Sequence, residues 1–244
     1  MIGFLLGLTL RQQVFRKSTL LLLGLALLPV LVAVVFRLSD ATEEPAQWTA
    51  ASLFKGLLVT AVLPLTALMF GTSVLGDELE DGTAVYLLTK PLPRWEILLP
   101  KVIAPWLLTS ALVAGSTLLS GLIAIQDADA SIVYGAAAAM VFGALAYTVI
   151  FVFLSVMTNH ALIIGLVYVF IWEGALGALF EGLRYFSVRH YTLGLADSFA
   201  GNVPNTFDAY MNGTTALLLA LAVSAIAAVL ANYRLERIEI RERP

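Results

Sequence analysis

The chain has 244 residues, of which 60% are hydrophobic and only 13% charged. An ordinary soluble domain carries about 25% charged residues, and a soluble fold of this length could not hide so much apolar surface, so the bilayer is the natural solvent. The formal net charge of −3 says little, because in a membrane protein the position of charge outweighs its sum; the absence of cysteine excludes disulfides, iron–sulfur clusters and thiolate nucleophiles, and two histidines are too few for a histidine-rich metal site.

The first ten residues are apolar and are followed by Arg11, Arg16 and Lys17, the reverse of the charge order of a secretory signal. Residues 1–17 are therefore expected to form an interfacial helix ahead of the first span. A spanning helix needs about 20 mainly apolar residues. Six stretches qualify, at about 19–36, 53–75, 102–125, 132–157, 161–180 and 214–231. Pro29 and Pro64 fall inside the first two, which is tolerated where neighbouring helices satisfy the freed carbonyls. The expectation is a single all-α membrane domain over 1–244 with six transmembrane helices.

Lys and Arg placement gives the orientation. With the N-terminus inside, Arg11, Arg16, Lys17, Lys90, Arg94, Lys101, Arg234, Arg237, Arg241 and Arg243 are all cytoplasmic. Arg37, Lys55, Arg184 and Arg189 are left at the outer side. Such a bias predicts both termini in the cytoplasm. The turn at 158–160 then has to be a tight cytoplasmic hairpin. Two connections stand out. Residues 76–101 form a long, densely charged cytoplasmic loop, and residues 181–213 form an outer loop too rich in Leu, Tyr and Phe to be a solvated linker. The first part of that outer loop is expected to fold back as short interfacial or re-entrant helices.

In the cytoplasmic loop, Asp77, Glu78, Glu80 and Asp81 are placed as a helix start, where acids favour the positive end of the dipole. Tyr86, Leu87 and Leu88 continue that short helix, and Pro91 and Pro93 end it. This stretch resembles the signature of ABC-2 type permeases, the transmembrane subunits of bacterial ABC exporters: Glu78 and Glu80 before Gly82-Thr83, then Leu87-Leu88, Pro91, Arg94 and Lys101. The stretches Trp172-Glu173-Gly174 and Ser187-Val188-Arg189-His190-Tyr191 are similar to small bacterial members of that family. The resemblance covers essentially the whole chain. It implies that residues 76–101 contain a coupling helix docking on an ATP-binding subunit present in two copies. It also implies that residues 1–17 are a connecting helix, and that a second permease subunit, the same or related, completes the pathway.

The chain contains no Gly-x-x-x-x-Gly-Lys-Ser/Thr P-loop. ATP and Mg²⁺ are then expected on the partner ATPase, with no cofactor, metal or catalytic residue on this chain and no nucleic-acid partner. The expected role is a non-enzymatic permease exporting a hydrophobic or amphipathic substrate across the bacterial inner membrane. An ion-coupled carrier or channel is the alternative, and a lipid-modifying membrane enzyme a weaker one.

Glu173 stands out because an ionisable group inside a span is costly, on the order of 2.5–3.5 kcal/mol at the centre. Two readings stay open. Glu173, with Arg189, belongs to the pathway or outer gate, or pairs with Arg184 or Arg189; alternatively it is a structural group near the outer interface. Gly135, Ala139 and Gly143, four residues apart, permit close helix approach. Lys55 is expected to snorkel from the outer start of the second span. The tail over 232–244 alternates Arg with Glu as a solvated helical extension.

Overall fold

The computed structural model describes residues 2–39, 44–80, 93–125, 130–176, 181–201, 207 and 209–237. Among these every regular element is helical. Helix α1 is Ile2–Val14, and a break at Arg16, which takes an extended backbone, separates it from α2, Lys17–Leu38. Helix α3 runs end to end through Pro45–Trp48, a π-helical stretch Thr49–Val62, and Leu63–Glu80. Helix α4 is Arg94–Ile125, α5 is Ser131–Met157, and α6 joins Ala161–Val167 to a π-helical Tyr168–Leu176. A 3₁₀ turn, Glu181–Phe186, leads to α7, Val188–Phe199, and the last helix, α8, is Gly213–Glu236.

Five helices are long and apolar enough to cross a membrane: α2, α3, α4, α5 and α8. The chain is a multi-pass membrane protein. The fifth expected span differs from the others, since its apolar helical part is only Ala161–Ala175. Two other expectations also change. Helices α3 and α4 begin at Pro45 and Arg94, each about two turns before the expected spans, because Pro45 sits at a helix start, where its missing N–H costs nothing, and Pro100 and Pro105 are absorbed within α4. Lys55 is consequently well inside α3 and half-buried, rather than at its outer end.

The acids Asp77, Glu78 and Glu80 were expected to open a helix. Instead their backbone forms the last turn of α3. Nothing between Gly76 and Glu80 lacks an N–H, and each residue that extends a formed helix adds a hydrogen bond. That gain outweighs the unfavourable dipole at a C-terminus, about 0.3–1 kcal/mol per charge. The side chains of 76–80 and the whole of Asp81, Gly82, Thr83, Leu87, Leu88 and Pro91 lie outside the described residues, as does most of the tail beyond Arg237.

Helix α5 is the hub. It packs against α3, α4, α6, α7 and α8, and its small residues make this possible. A Cβ added to Gly135 would lie 2.5 Å from the Ala200 nitrogen, and one on Gly143 would meet the Thr192 hydroxyl and Leu63. The stripe Gly135, Ala139, Gly143 therefore serves packing within the chain, with α7 laid along it. The pairing Gly135–Ala200 and Gly143–Thr192 also shows that α7 runs antiparallel to α5.

The end of α1, the end of α8, the end of α3 and the start of α4 meet at one end of the bundle. Val74, Leu75, Leu98, Val152, Val156, Ala231 and Leu235 form a shared apolar cluster there. Lys101, 3% exposed, donates from Nζ to the Val74 carbonyl at 3.3 Å, and Gln13 Nε2 donates to the Phe70 carbonyl at 2.9 Å. Helices α1 and α4 are thus each pinned to α3 by a buried polar side chain, one helical turn apart. The outward faces of α2 and α8 are apolar and bare, with Leu21, Leu31, Val35, Leu218 and Val229 all strongly exposed. They are the surfaces that a bilayer or another apolar subunit solvates.

Candidate functional site at a broken helix

Helix α6 leaves the tight turn at 158–160 and climbs alongside α5. Gly165 lies against Leu68 and Phe151, and the Tyr168 ring meets Phe151 edge-on with centroids 6.2 Å apart. Glu173 arrives at the level of Tyr147, about 15 Å of helix rise above Met157. Helix α6 is described as far as Leu176; residues 177–180 lie outside the described residues, and after the 3₁₀ turn the chain is back at the level of Glu173 at Ser187. Helix α7 then carries the path on toward Gly135. The described part of the expected fifth span, Ala161–Leu176, and α7, Val188–Phe199, are each shorter than the about 20 residues that cross a bilayer, and they meet where Glu173 reaches the start of α7. A helix that starts at depth exposes backbone polar groups, which must be satisfied by protein or water.

Glu173 performs that task. It is 6% exposed. Its Oε1 accepts the Val188 N–H at 2.9 Å and the Tyr168 hydroxyl at 3.0 Å. Its Oε2 accepts the Ser187 hydroxyl and, at 3.4 Å, the Arg189 N–H. Ser187 is the N-cap of α7, and its Oγ accepts the His190 N–H at 3.4 Å. The first three N–H groups of α7, which no helical carbonyl can reach, are all satisfied by Glu173 and Ser187. The negative carboxylate also sits at the positive end of the α7 dipole. One further tie lies beside it: Trp172 Nε1 donates to the Phe186 carbonyl at 3.3 Å.

Of the two readings of Glu173, the geometry answers the pairing question. Glu173 bonds the backbone of Arg189, not its guanidinium, and it is buried rather than reaching for water. Whether the joint lies on a transport path is a separate matter. Sequence reasoning missed Tyr168, whose hydroxyl donates to Glu173, and Tyr147, a fully buried tyrosine of α5. Ser187 carried a readable signal, a serine directly before a helix. Tyr168 carried none, since an aromatic residue five places before an acid has no local meaning.

Beside the joint, the 3₁₀ turn and α7 bring basic groups together. The Arg184 guanidinium lies 5.2 Å over the Tyr210 ring, and the His190 ring meets that same ring at 6.4 Å. Among the described residues no three His, Asp or Glu side chains gather closely enough to hold a metal ion. Of the expected coupling residues, Arg94 is described and is the first residue of α4, half-buried.

No curated protein sequence matches the chain. A family model described as ABC-2 family transporter protein matches residues 11–240, which takes in every helix from the end of α1 to α8. The chain therefore belongs to the ABC-2 transporter family and is a non-catalytic transmembrane subunit of an ABC transporter.

Proposed function

We propose that this subunit works in an ATP-driven exporter of a hydrophobic or amphipathic substrate in the bacterial inner membrane. Two copies of a separate ATPase chain carry ATP and Mg²⁺, and a second permease subunit, the same or related, completes the pathway. Both termini and the segment 76–101 face the cytoplasm. The positive-inside bias supports that orientation, and so does the meeting of α1, the ends of α3 and α4, and the end of α8 at one end of the bundle.

The observation that carries the reading is the continuity of α3 into Glu80 and the early start of α4 at Arg94. Residues 81–93 are thereby held between two long helices that are pinned together just inside, by Lys101 on the Val74 carbonyl. A push on Glu78, Glu80, Asp81, Gly82, Thr83, Leu87, Leu88, Pro91 or Arg94 would be transmitted along both helices rather than absorbed. Closure of the ATPase pair on binding ATP would supply the push.

The test is co-purification of the chain from native membranes with mass identification of its partners, followed by charge reversal at Glu78, Glu80 and Asp81. The expected result is an ATPase partner that the reversed variant no longer retains. Intact ATPase association and transport in that variant would overturn the coupling assignment.

A further inference from the structure

Many buried hydroxyls in these helices donate to the carbonyl one turn back. Thr72 bonds Leu68, Thr117 bonds Val113 and Thr192 bonds Val188 in this way. Four hydroxyls in the middle of the bundle do not. Thr66 on α3, Thr109 and Ser110 on α4, and Thr148 on α5 are shielded from solvent and have no hydrogen-bond partner. The three threonines are 0% exposed and Ser110 is 8% exposed. A hydroxyl held unbonded in an apolar interior is costly.

The contacts between the helices bring these four together. Lys101 of α4 reaches the Val74 carbonyl of α3, Gly121 of α4 lies against Val133 of α5, and Gly71 of α3 lies against Thr148 and Phe151 of α5. Counting along each helix from these points, at about 1.5 Å per residue, sets all four hydroxyls within about one helical turn of a common level. Their faces agree, at about 100° per residue. Thr109 falls between Lys101, bonded to α3, and Trp106, which donates to the Val141 carbonyl of α5. Ser110 falls on the α5 side of α4, between Trp106 and Gly121. Thr148 shares a face of α5 with Val141 and is turned to α4. Thr66 stands opposite Leu68, which meets Gly165 of α6, and is thereby turned to α4 as well.

We infer that Thr66, Thr109, Ser110 and Thr148 form a site for ordered water between α3, α4 and α5. Each hydroxyl both donates and accepts, and a water molecule matches it with two donors and two acceptors. Buried waters typically make about three hydrogen bonds to groups that would otherwise go unsatisfied, and three helices supply them here. A metal cation fits the set less well. The four hydroxyls are neutral, and the Lys101 ammonium belongs to the same helix about 12 Å of rise from Thr109. The seam between these helices also has room for water elsewhere along its length. Further out, Leu58, Thr117, Gly121 and Val133 line a cavity of about 10 Å³, the space of about one water. The site goes beyond the export reading and does not rest on it.

The test uses the full-length chain in phosphatidylcholine nanodiscs, with carbon-13 in its threonine methyl groups, and measures nuclear Overhauser transfer from water to each methyl. Thr66, Thr109 and Thr148 are expected to receive it, as the exposed Thr214 does. Thr192, equally buried but bonded to the Val188 carbonyl, is expected to receive none. Each signal is assigned by its loss in the matching Thr→Val variant. The same variants give a second readout, because Val keeps the shape of Thr and removes only the hydroxyl. Around water, Thr66→Val, Thr109→Val and Thr148→Val each delete a hydrogen bond and are expected to lower the unfolding temperature by about 2–4 °C. In a dry seam they delete an unsatisfied group, and the unfolding temperature holds or rises. Absence of transfer to all three methyls, or Val variants at least as stable as wild type, would overturn the inference. Where a Val variant does not fold, the Thr→Ser variant, which also lacks the methyl, assigns the signal and the transfer in the wild type decides. Whether an ATPase co-purifies bears on the exporter reading alone and moves neither readout.

Discussion

Glu173 and Val188 are fifteen residues apart in the chain, yet the Glu173 carboxylate accepts the Val188 N–H at 2.9 Å and so bridges two short helices. The bond makes a helix start at this depth tolerable, because it replaces the helical carbonyls that α7 lacks. It also makes a single side chain the link between α6 and the start of α7.

Replacing Glu173 with Ala is therefore expected to leave the Val188 and Arg189 N–H groups buried and unsatisfied. Each such group costs about 1–3 kcal/mol. The Glu173→Gln variant keeps one acceptor and is expected to lose less. Thermal unfolding in detergent, followed by fluorescence, would rank them wild type, Gln, Ala. An Ala variant as stable as wild type would remove the capping role.

A methyl group at Gly135 has nowhere to go. It would lie 2.5 Å from the Ala200 nitrogen, 2.8 Å from the Phe199 carbonyl carbon and 2.9 Å from the Ala200 Cα, all backbone atoms that cannot rotate aside. Gly135→Ala is expected to push α7 off α5 at about 1–3 kcal/mol. Gly115 in α4 faces open space, and Gly115→Ala there is expected to be neutral or to stabilise by up to about 1 kcal/mol. Unfolding temperatures of the two variants should move in different directions.

Gln13 anchors α1 by its bond to the Phe70 carbonyl. Gln13→Ala is expected to weaken that docking by about 1 kcal/mol and to expose the exposed residues Arg11 and Arg16 to faster tryptic cleavage than in wild type. Cleavage at the wild-type rate would mean that α1 is held by its apolar contacts alone.

Hydropathy made the long helices legible, because a bilayer leaves an uninterrupted apolar helix as nearly the only way to satisfy the backbone. The small-residue stripe on α5 was also legible, since Gly135 and Gly143 have few other uses at that spacing. Helix ends were less so. The acids at 77–80 belong to the end of α3 because helix propagation outweighed dipole preference, and nothing in their own order distinguishes a helix start from a helix end.

By itself the sequence determined that this protein lives in a membrane, where its helices run, and which family it resembles, since these follow from residue types read along one dimension. Only the tertiary structure decided that Glu173 caps α7, and that Arg184, Tyr185 and His190 meet on the Tyr210 ring. The physical reason is that burial and hydrogen-bond geometry are relations between distant segments. A carboxylate carries the same letters whether it meets water, a guanidinium or the free N–H groups of a helix that begins fifteen residues later.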